Sequence, residues 1–495
     1  MDLNNIATRE TQNFTTNNPE RVKMPVISRI ATPLIWSLFF SSVSLLIYFM
    51  IESPIWNFDE IFVISGFTLL IWITVTFFSA VVSTYSKKYL EGFRYQAKFT
   101  VLCLGFTGSV MVFIMSNHIA AFLFCWLAMG FFMSRLIGVD SKWGEAQEAS
   151  NFAQKFFLAG TICLSLGILL LSVTTDQFTI MGILNNLGAV PKYILILSAL
   201  VIMVAAVIQS AIYPFHRWLL SAMTSPTPAS ALMHAGFVNG AGILLALLST
   251  IFIASNTLTL LFIIGGLTAV IAQFTKLLQV NVKQKLACST IAQMGFMIMQ
   301  CGLGFFNAAV AHLILHGFYK AYLFLSSGEE VSQTAPHKPH KISIKPLQAV
   351  VVLLFGIAGA ILFSFLTGKT NLADSSIFLT LIVAITVGQM TYNIVKQESF
   401  SMVQKALLPI ALFVTGIALY ALLYNGVTLV MAGMPMVEVP QPISIIQIVF
   451  GIIFLIGFFI MKLGVYRKVP WLYVKLLNIS QPNSQTVLKY KTIQK

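Results

Sequence analysis

Long apolar stretches alternate with short polar joins along almost the whole chain. About twenty consecutive apolar residues are what an α-helix needs to cross a bilayer. Such stretches recur about fourteen times, at roughly 29–50, 62–85, 99–116, 118–139, 153–174, 192–213, 229–253, 257–279, 285–303, 305–327, 347–367, 376–395, 406–431 and 443–464. The pattern predicts an all-α integral membrane protein. Residues 1–28 read as a short cytoplasmic N-terminal tail, 29–465 as the transmembrane domain and 466–495 as a basic cytoplasmic C-terminal tail.

Composition agrees with that pattern. The 495 residues are 57% hydrophobic and 9% charged, with a mean hydropathy of +0.86, whereas a soluble domain is about 25% charged. The net charge of +14 could suggest nucleic acid, but the basic residues sit in short joins and read as topology determinants. With the N-terminus inside, the inner joins carry Lys87, Lys88, Arg94, Lys98, Lys142, Arg217, Lys283 and Lys285, then Lys338, Lys341, Lys345, Lys396 and Lys405. The outer joins carry Glu52, Asp59, Glu60, Asp176, Asp374 and Glu438, with only Lys192 and Lys369 against the trend. The expected topology therefore has both termini cytoplasmic. Cys103, Cys125, Cys163, Cys288 and Cys301 fall in or at the ends of apolar stretches and read as buried thiols, not a disulfide framework or a metal site. The run HKPHK at 337–341 has metal-like composition, but Pro339 breaks its spacing, and it reads as a solvated linker.

One stretch breaks the apolar rule from within. Phe305 to Gly328 is long enough to span, yet it carries His312, His316 and Lys320, each four residues from the next. On a helix those three share one face over successive turns. Lipid tolerates such a stripe poorly, imidazole titrates near neutrality, and a desolvated lysine is pulled toward it. The row can pass protons through hydrogen bonds and water. The bland reading is helix–helix hydrogen bonding by histidine with a snorkelling lysine, and three groups in register weigh against it. Glu329 and Glu330 either pair with Lys320 or face water.

A second stretch, Gln209 to Gly242, breaks a hydrophobic region with Pro214, Pro226 and Pro228. Backbone interrupted at membrane depth lines a cavity or is covered by protein, and transporters put binding and gating at such breaks. His216 and His234 flank the interruption, and Asn239 follows it among glycines.

PFHRWLLSAMTSPTPASALMHAGFVNGAG (214–242), NVKQKLACSTIAQMGF (281–296) and AHLILHGFYKAYLFLSSG (311–328) resemble the proton-conducting membrane subunits of respiratory complex I and of multisubunit sodium/proton antiporters. The resemblance covers about 90–330 and implies two inverted five-helix repeats, each with a broken helix. It implies that His312, His316 and Lys320 are channel residues of the second half and His234 the linking histidine of the first. It also shows departures. The glutamate the family places after a tryptophan is Leu127 here, following Trp126, and the broken-helix lysine five residues before the proline is Gln209. Gln209, His216 and Asn239 are then neutral or weakly titrating lining groups, and Lys369 alone could stand in for a second-half lysine.

These departures resemble a shorter branch, the membrane subunits of two-component bacterial inorganic-carbon uptake systems. There the partner, DabA, is a large cytoplasmic protein resembling a zinc carbonic anhydrase. The resemblance implies no enzymatic activity and no cofactor in this chain, with zinc on the partner, because no set of three converging ligands is present to hold a catalytic zinc. The expected function is conduction of a cation, H⁺ or Na⁺, coupled to carbon dioxide and bicarbonate uptake. Two other classes stay open: a subunit of a redox-driven pump or antiporter, and a non-conducting membrane anchor.

Overall fold

The computed structural model describes residues 24–54, 56–327, 346–371, 373–395, 400–463, 466 and 468–487. Glu329, Glu330 and the HKPHK run lie outside the described residues, as do 1–23 of the N-terminal tail and 488–495 of the C-terminal one.

Lipid offers no hydrogen bonds, so an apolar stretch must satisfy its backbone within itself, and it does so as helix. The long helices run α1 (Val26–Glu52), α2 (Gly66–Tyr89), α3 (Gln96–Met115), α4 (Ile119–Ile137), α5 (Gly144–Thr175) and α6 (Lys192–Gln209). After a helical turn at Arg217–Ser221 come α7 (Thr227–Ala235) and α8 (Gly240–Leu247), then α9 (Leu258–Lys276), α10 (Val282–Gly302) and α11 (Phe306–Leu325). α12 (Pro346–Thr367), α13 (Ser376–Val395), α14 (Met402–Val430), α15 (Ile445–Leu463) and α16 (Pro470–Ile479) complete the chain. Among the described residues, twelve segments are long and apolar enough to cross a membrane, with α7 and α8 counted as one. The expected stretch at 285–303 forms α10, a full-length helix whose first turns are polar, and that at 443–464 forms α15.

Polar side chains close the helix ends where backbone groups would be left over. Ser65 and Thr68 form a reciprocal capping box on α2, Asn281 caps α10 by accepting from Gln284 N, and Ser401 with Gln404 repeats the box on α14. One end of the bundle carries a small hairpin, β1 (Trp56–Phe58) against β2 (Phe62–Ile64), with Trp56 opposite Ile64. Asn117 fastens this hairpin to its neighbours: its Nδ2 donates to Glu60 O (2.7 Å), and its Oδ1 accepts from Met181 N (3.0 Å). The Glu438 loop, which joins α14 to α15, lies at the same end, because the intervening helices run alternately away from and back to it.

Two features place the site. α9 and α10 approach backbone to backbone at Gly265 and Gly295, where a Cβ on Gly265 would sit 2.6 Å from Gly295 O; small residues at a membrane interface permit this contact. α11 is surrounded by α2, α7, α8, α10 and α14. Its polar stripe therefore faces protein, while α1 and α12 leave most of their apolar side chains exposed, as lipid contact requires.

Candidate functional site

The polar stripe of α11 is buried. Lys320 has 0% exposure and His316 5%, while His312 is half-buried at the edge of a cavity. His312 and His316 have ring centroids 6.2 Å apart in near-parallel planes. Lys320 Nζ donates to Leu286 O on α10 at 2.9 Å, and its described salt-bridge contacts include no carboxylate. Both ring nitrogens of His316 lack a protein hydrogen-bond partner among the described residues. A buried polar atom without a partner loses its hydration uncompensated, so packing alone does not account for His316. Gly317 keeps this face narrow: a Cβ there would meet Phe78 at 2.5 Å and Ala235 O at 3.0 Å.

His234 joins the row from α7. It is fully buried, its Nδ1 lies 2.9 Å from Thr290 Oγ1, its ring stacks on Phe324 at 4.3 Å, and its Nε2 has no partner among the described residues. His234, His316 and Lys320 lie within electrostatic range of one another. The structure thus brings together His234, His312, His316 and Lys320.

The other sequence candidates separate into supporting positions. Gln209 closes α6 and donates from Nε2 to Phe237 O at 3.3 Å. Asn239 Nδ2 donates to Ala235 O (2.7 Å) and reaches Leu313 O (3.3 Å), tying the break to α11. Pro214 lies in the turn after α6, so the first interruption falls where the proline spacing expects it. Pro226 and Pro228 stand at a second interruption, where the helical turns of 217–224 give way to α7. Pro226 is the N-cap and Pro228 sits in the first turn of α7, where a missing N–H costs nothing. A further interruption, between α7 and α8, falls at Gly236–Asn239, where a 3₁₀ turn intervenes. His216 stands apart from the row: its Nε2 meets Ile479 O at 2.8 Å, so it anchors the C-terminal segment. Asn483 N and Thr486 Oγ1 both reach Ser221 Oγ there, at 3.1 and 3.0 Å.

Sequence reading singled out Lys369 as a stand-in for a second-half lysine but missed its buried partners. Lys369, with 3% side-chain exposure, pairs with Glu438 at 2.7 Å. Its Nζ also donates to Tyr424 Oη (2.6 Å), and Tyr424 Oη donates to Glu438 Oε2 (2.7 Å). Asn307 Nδ2, at the start of α11, lies 2.6 Å from the same carboxylate. Burial alone would raise the Glu438 carboxyl, but the hydrogen bond and charge of Lys369, with Tyr424 and Asn307, hold it below its ordinary value. Burial also pulls the Lys369 ammonium below its ordinary value, against the bond and charge of Glu438. The available signal was topological, since Lys369 is one of two lysines against the charge trend. The other, Lys192, caps the Ser249–Ala254 helical turn through Ala254 O at 2.7 Å.

No group of three or more His, Cys, Asp or Glu that could hold a metal occurs among the described residues.

Residues 116–349 match the family described as NADH:quinone oxidoreductase/Mrp antiporter, TM. The chain is 30% identical over 385 residues to a probable inorganic carbon transporter subunit DabB of Hydrogenovibrio crunogenus, covering 75% of this chain and 71% of that protein. It is 35% identical over 292 residues to the corresponding Bacillus anthracis subunit, covering 58% and 57% of the two chains. Across several such relatives the match spans about half of their length. The fold is shared with the Mrp complex from Dietzia sp. DQ12-45-1b, at a TM-score of 0.58 and 19% identity, covering 91% of this chain and 57% of that one. A bundle of membrane helices, a buried His–His–Lys row on the central one and this breadth of similarity lead to one conclusion: the chain belongs to the NADH:quinone oxidoreductase/Mrp antiporter family of multi-pass membrane subunits, together with the DabB proteins.

Proposed function

We propose that this chain is the cation-conducting membrane subunit of a two-component inorganic carbon uptake system. The observation that carries this reading is Lys320, wholly buried and bonded to a single carbonyl, beside a histidine with both ring nitrogens free. Among the described residues no carboxylate pairs with that ammonium. It is a way-station for a proton more than a structural tie. H⁺ fits the row better than Na⁺, because imidazole and amine exchange protons but offer a sodium ion a poor set of ligands. Lys320 acts as the central titrating group, His316 and His312 as the relay, and His234 as the link toward the broken helices.

Conduction is downhill. Leu127 and Gln209 occupy the positions where family pumps place a carboxylate and a lysine, and neither titrates. The chain lies in the bacterial inner membrane with both termini cytoplasmic, a placement supported by its loop charges. Its partner is a DabA-type cytoplasmic zinc protein that hydrates carbon dioxide, and the names of the matched relatives support that pairing. The Lys369–Glu438 pair supports a second reading, a pumping subunit of a complex I-like or antiporter assembly, because a carboxylate–lysine pair is what couples successive charge states.

The test is Lys320→Ala in cells that depend on the system for growth at ambient carbon dioxide, with membrane levels checked by blot. Growth is expected to fail with the protein still present. Normal growth would end the relay reading and leave the anchor reading standing.

A further inference from the structure

The relay on α11 is described above from His312 to Lys320, but its other end has structure of its own. Residues 431–444 fold back over the N-terminus of α11. Phe306 N and Asn307 N donate to Val437 O at 3.1 and 3.3 Å, and Val439 N donates to Gly304 O at 2.9 Å. Ser375 N donates to Gln441 O at 2.8 Å, and Ser249 Oγ to Pro435 O at 3.2 Å. The loop is a stopper sewn down by backbone bonds, and it delivers Glu438 to Asn307, one and a half turns before His312.

Between Glu438 and His312 the polar groups form a series. Tyr424 bonds to Glu438 and Lys369 as described. Tyr420, one turn earlier on α14, stacks in near-parallel planes with Tyr424 at a centroid distance of 6.2 Å. Tyr420, Gln300 and His312 line one cavity of about 290 Å³. Most of the remaining lining is apolar, so water here is held where Gln300, His312 and Tyr420 supply polar partners. Gln300 lines this space, is 1% exposed, and its Oε1 has no hydrogen-bond partner among the described residues.

We infer that Glu438, through Lys369, Tyr424 and Tyr420, is the station by which protons pass between the hairpin end of the bundle and His312. The inference rests on the conduction reading above. Glu438 retains 32% side-chain exposure while Lys369 has 3%, so the carboxylate is the member that meets water. The transfer balances. Tyr424 donates to Glu438 Oε2 at rest, so the inward step needs its hydroxyl to turn toward Tyr420 once the carboxylate has taken up a proton. That proton then passes to Lys369 as the ammonium gives one of its own to Tyr424 Oη, Tyr424 passes its hydroxyl proton to Tyr420, and Tyr420 releases its own to the cavity. Afterwards Glu438 is again a carboxylate, Lys369 an ammonium and Tyr424 a neutral phenol, with one proton moved inward. The groups facing Glu438 are Lys369, Tyr424 and Asn307, with Thr428 bonded to Asn307; Asp374 is the further charge felt by Lys369.

The experiment measures proton flux, by a pH-sensitive dye, in sealed membrane vesicles from cells producing the chain with its native partners. Native protein is compared with Lys320→Ala, Glu438→Gln, Glu438→Asp and Tyr420→Phe at matched protein levels. Tyr420→Phe keeps the ring and removes only the hydroxyl, so a loss there cannot be attributed to a collapsed loop. Loss of flux in Lys320→Ala is expected, with a drop of about tenfold or more in Glu438→Gln, a partial drop in Tyr420→Phe and recovery in Glu438→Asp. The Gln variant should also lose the dependence of flux on pH at the hairpin face. Native-like flux and pH profile in both Glu438→Gln and Tyr420→Phe, with Lys320→Ala dead, overturns this inference alone. Native flux in Lys320→Ala overturns the conduction reading and this inference with it.

Discussion

Lys320 and Lys369 are two buried lysines with opposite arrangements. Lys320 donates to one carbonyl, whereas Lys369 has a carboxylate and a phenol. Removing one partner of a buried pair strands the other charge, a loss of about 3–5 kcal/mol when both are enclosed. Lys369→Met should therefore lower the stability of the detergent-solubilised protein by about 3 kcal/mol, near the lower limit because Glu438 keeps 32% exposure. The double variant Lys369→Met with Glu438→Gln should recover most of it. The pH dependence has a definite sign. Glu438 is held below its ordinary value in the folded chain, so its contribution is complete above the ordinary carboxylate range and is lost as pH falls through the depressed value. Thermal midpoints of the native protein should drop along that acid limb, and Glu438→Gln should lack this part of the drop. A single variant as stable as native would show that the pair holds nothing together.

Helices were the most legible features of the sequence, because spanning length and apolar composition impose them directly. The stripe on α11 was equally legible, since four-residue spacing fixes a common face whatever surrounds it. The breaks were less so. Proline marks two places in 214–242 where one helical element gives way to the next, but the further break at Gly236–Asn239 carries no proline. A proline signals either a stop or a start, and only the neighbouring turn decides which. The Lys369–Glu438 cluster was illegible for a different reason: its members are 69 residues apart and both sit in joins between helices, where charge normally means water. Gly304 shows how the loop element is held. Its φ is +87°, and a Cβ there would lie 2.0 Å from Val439 O. Gly304→Ala should unseat the 431–444 loop, combining a left-handed backbone penalty of about 1 kcal/mol with a clash that the main chain must relieve. Faster hydrogen exchange confined to 303–307 and 435–441 would report it, and unchanged protection in both segments would refute it.

Across the whole molecule the titratable groups are unevenly distributed. The second half carries His312, His316, Lys320, Lys369 and Glu438, while the first half offers Leu127 and Gln209 where a carboxylate and a lysine would form a switch. In a pump, moving one charge shifts the affinity of the next site for its proton, and both members of each pair must titrate for that coupling to run. With no carboxylate–lysine pair in the first half, a proton following the proposed row would have nothing to drive it uphill. Restoring the missing pair by Leu127→Glu with Gln209→Lys would bury a lysine where Gln209 now donates neutrally to Phe237 O and leans on Gly240. A pair set in without matched geometry costs several kcal/mol, so this double variant should impair uptake rather than convert the protein into a pump. Uptake of labelled inorganic carbon in cells, with and without an uncoupler, measures both points together. Native cells should lose uptake when the gradient collapses, and the double variant should take up less carbon at any gradient. Uptake that survives the uncoupler in native cells would show that no ion gradient drives it, and the row on α11 would then need another purpose.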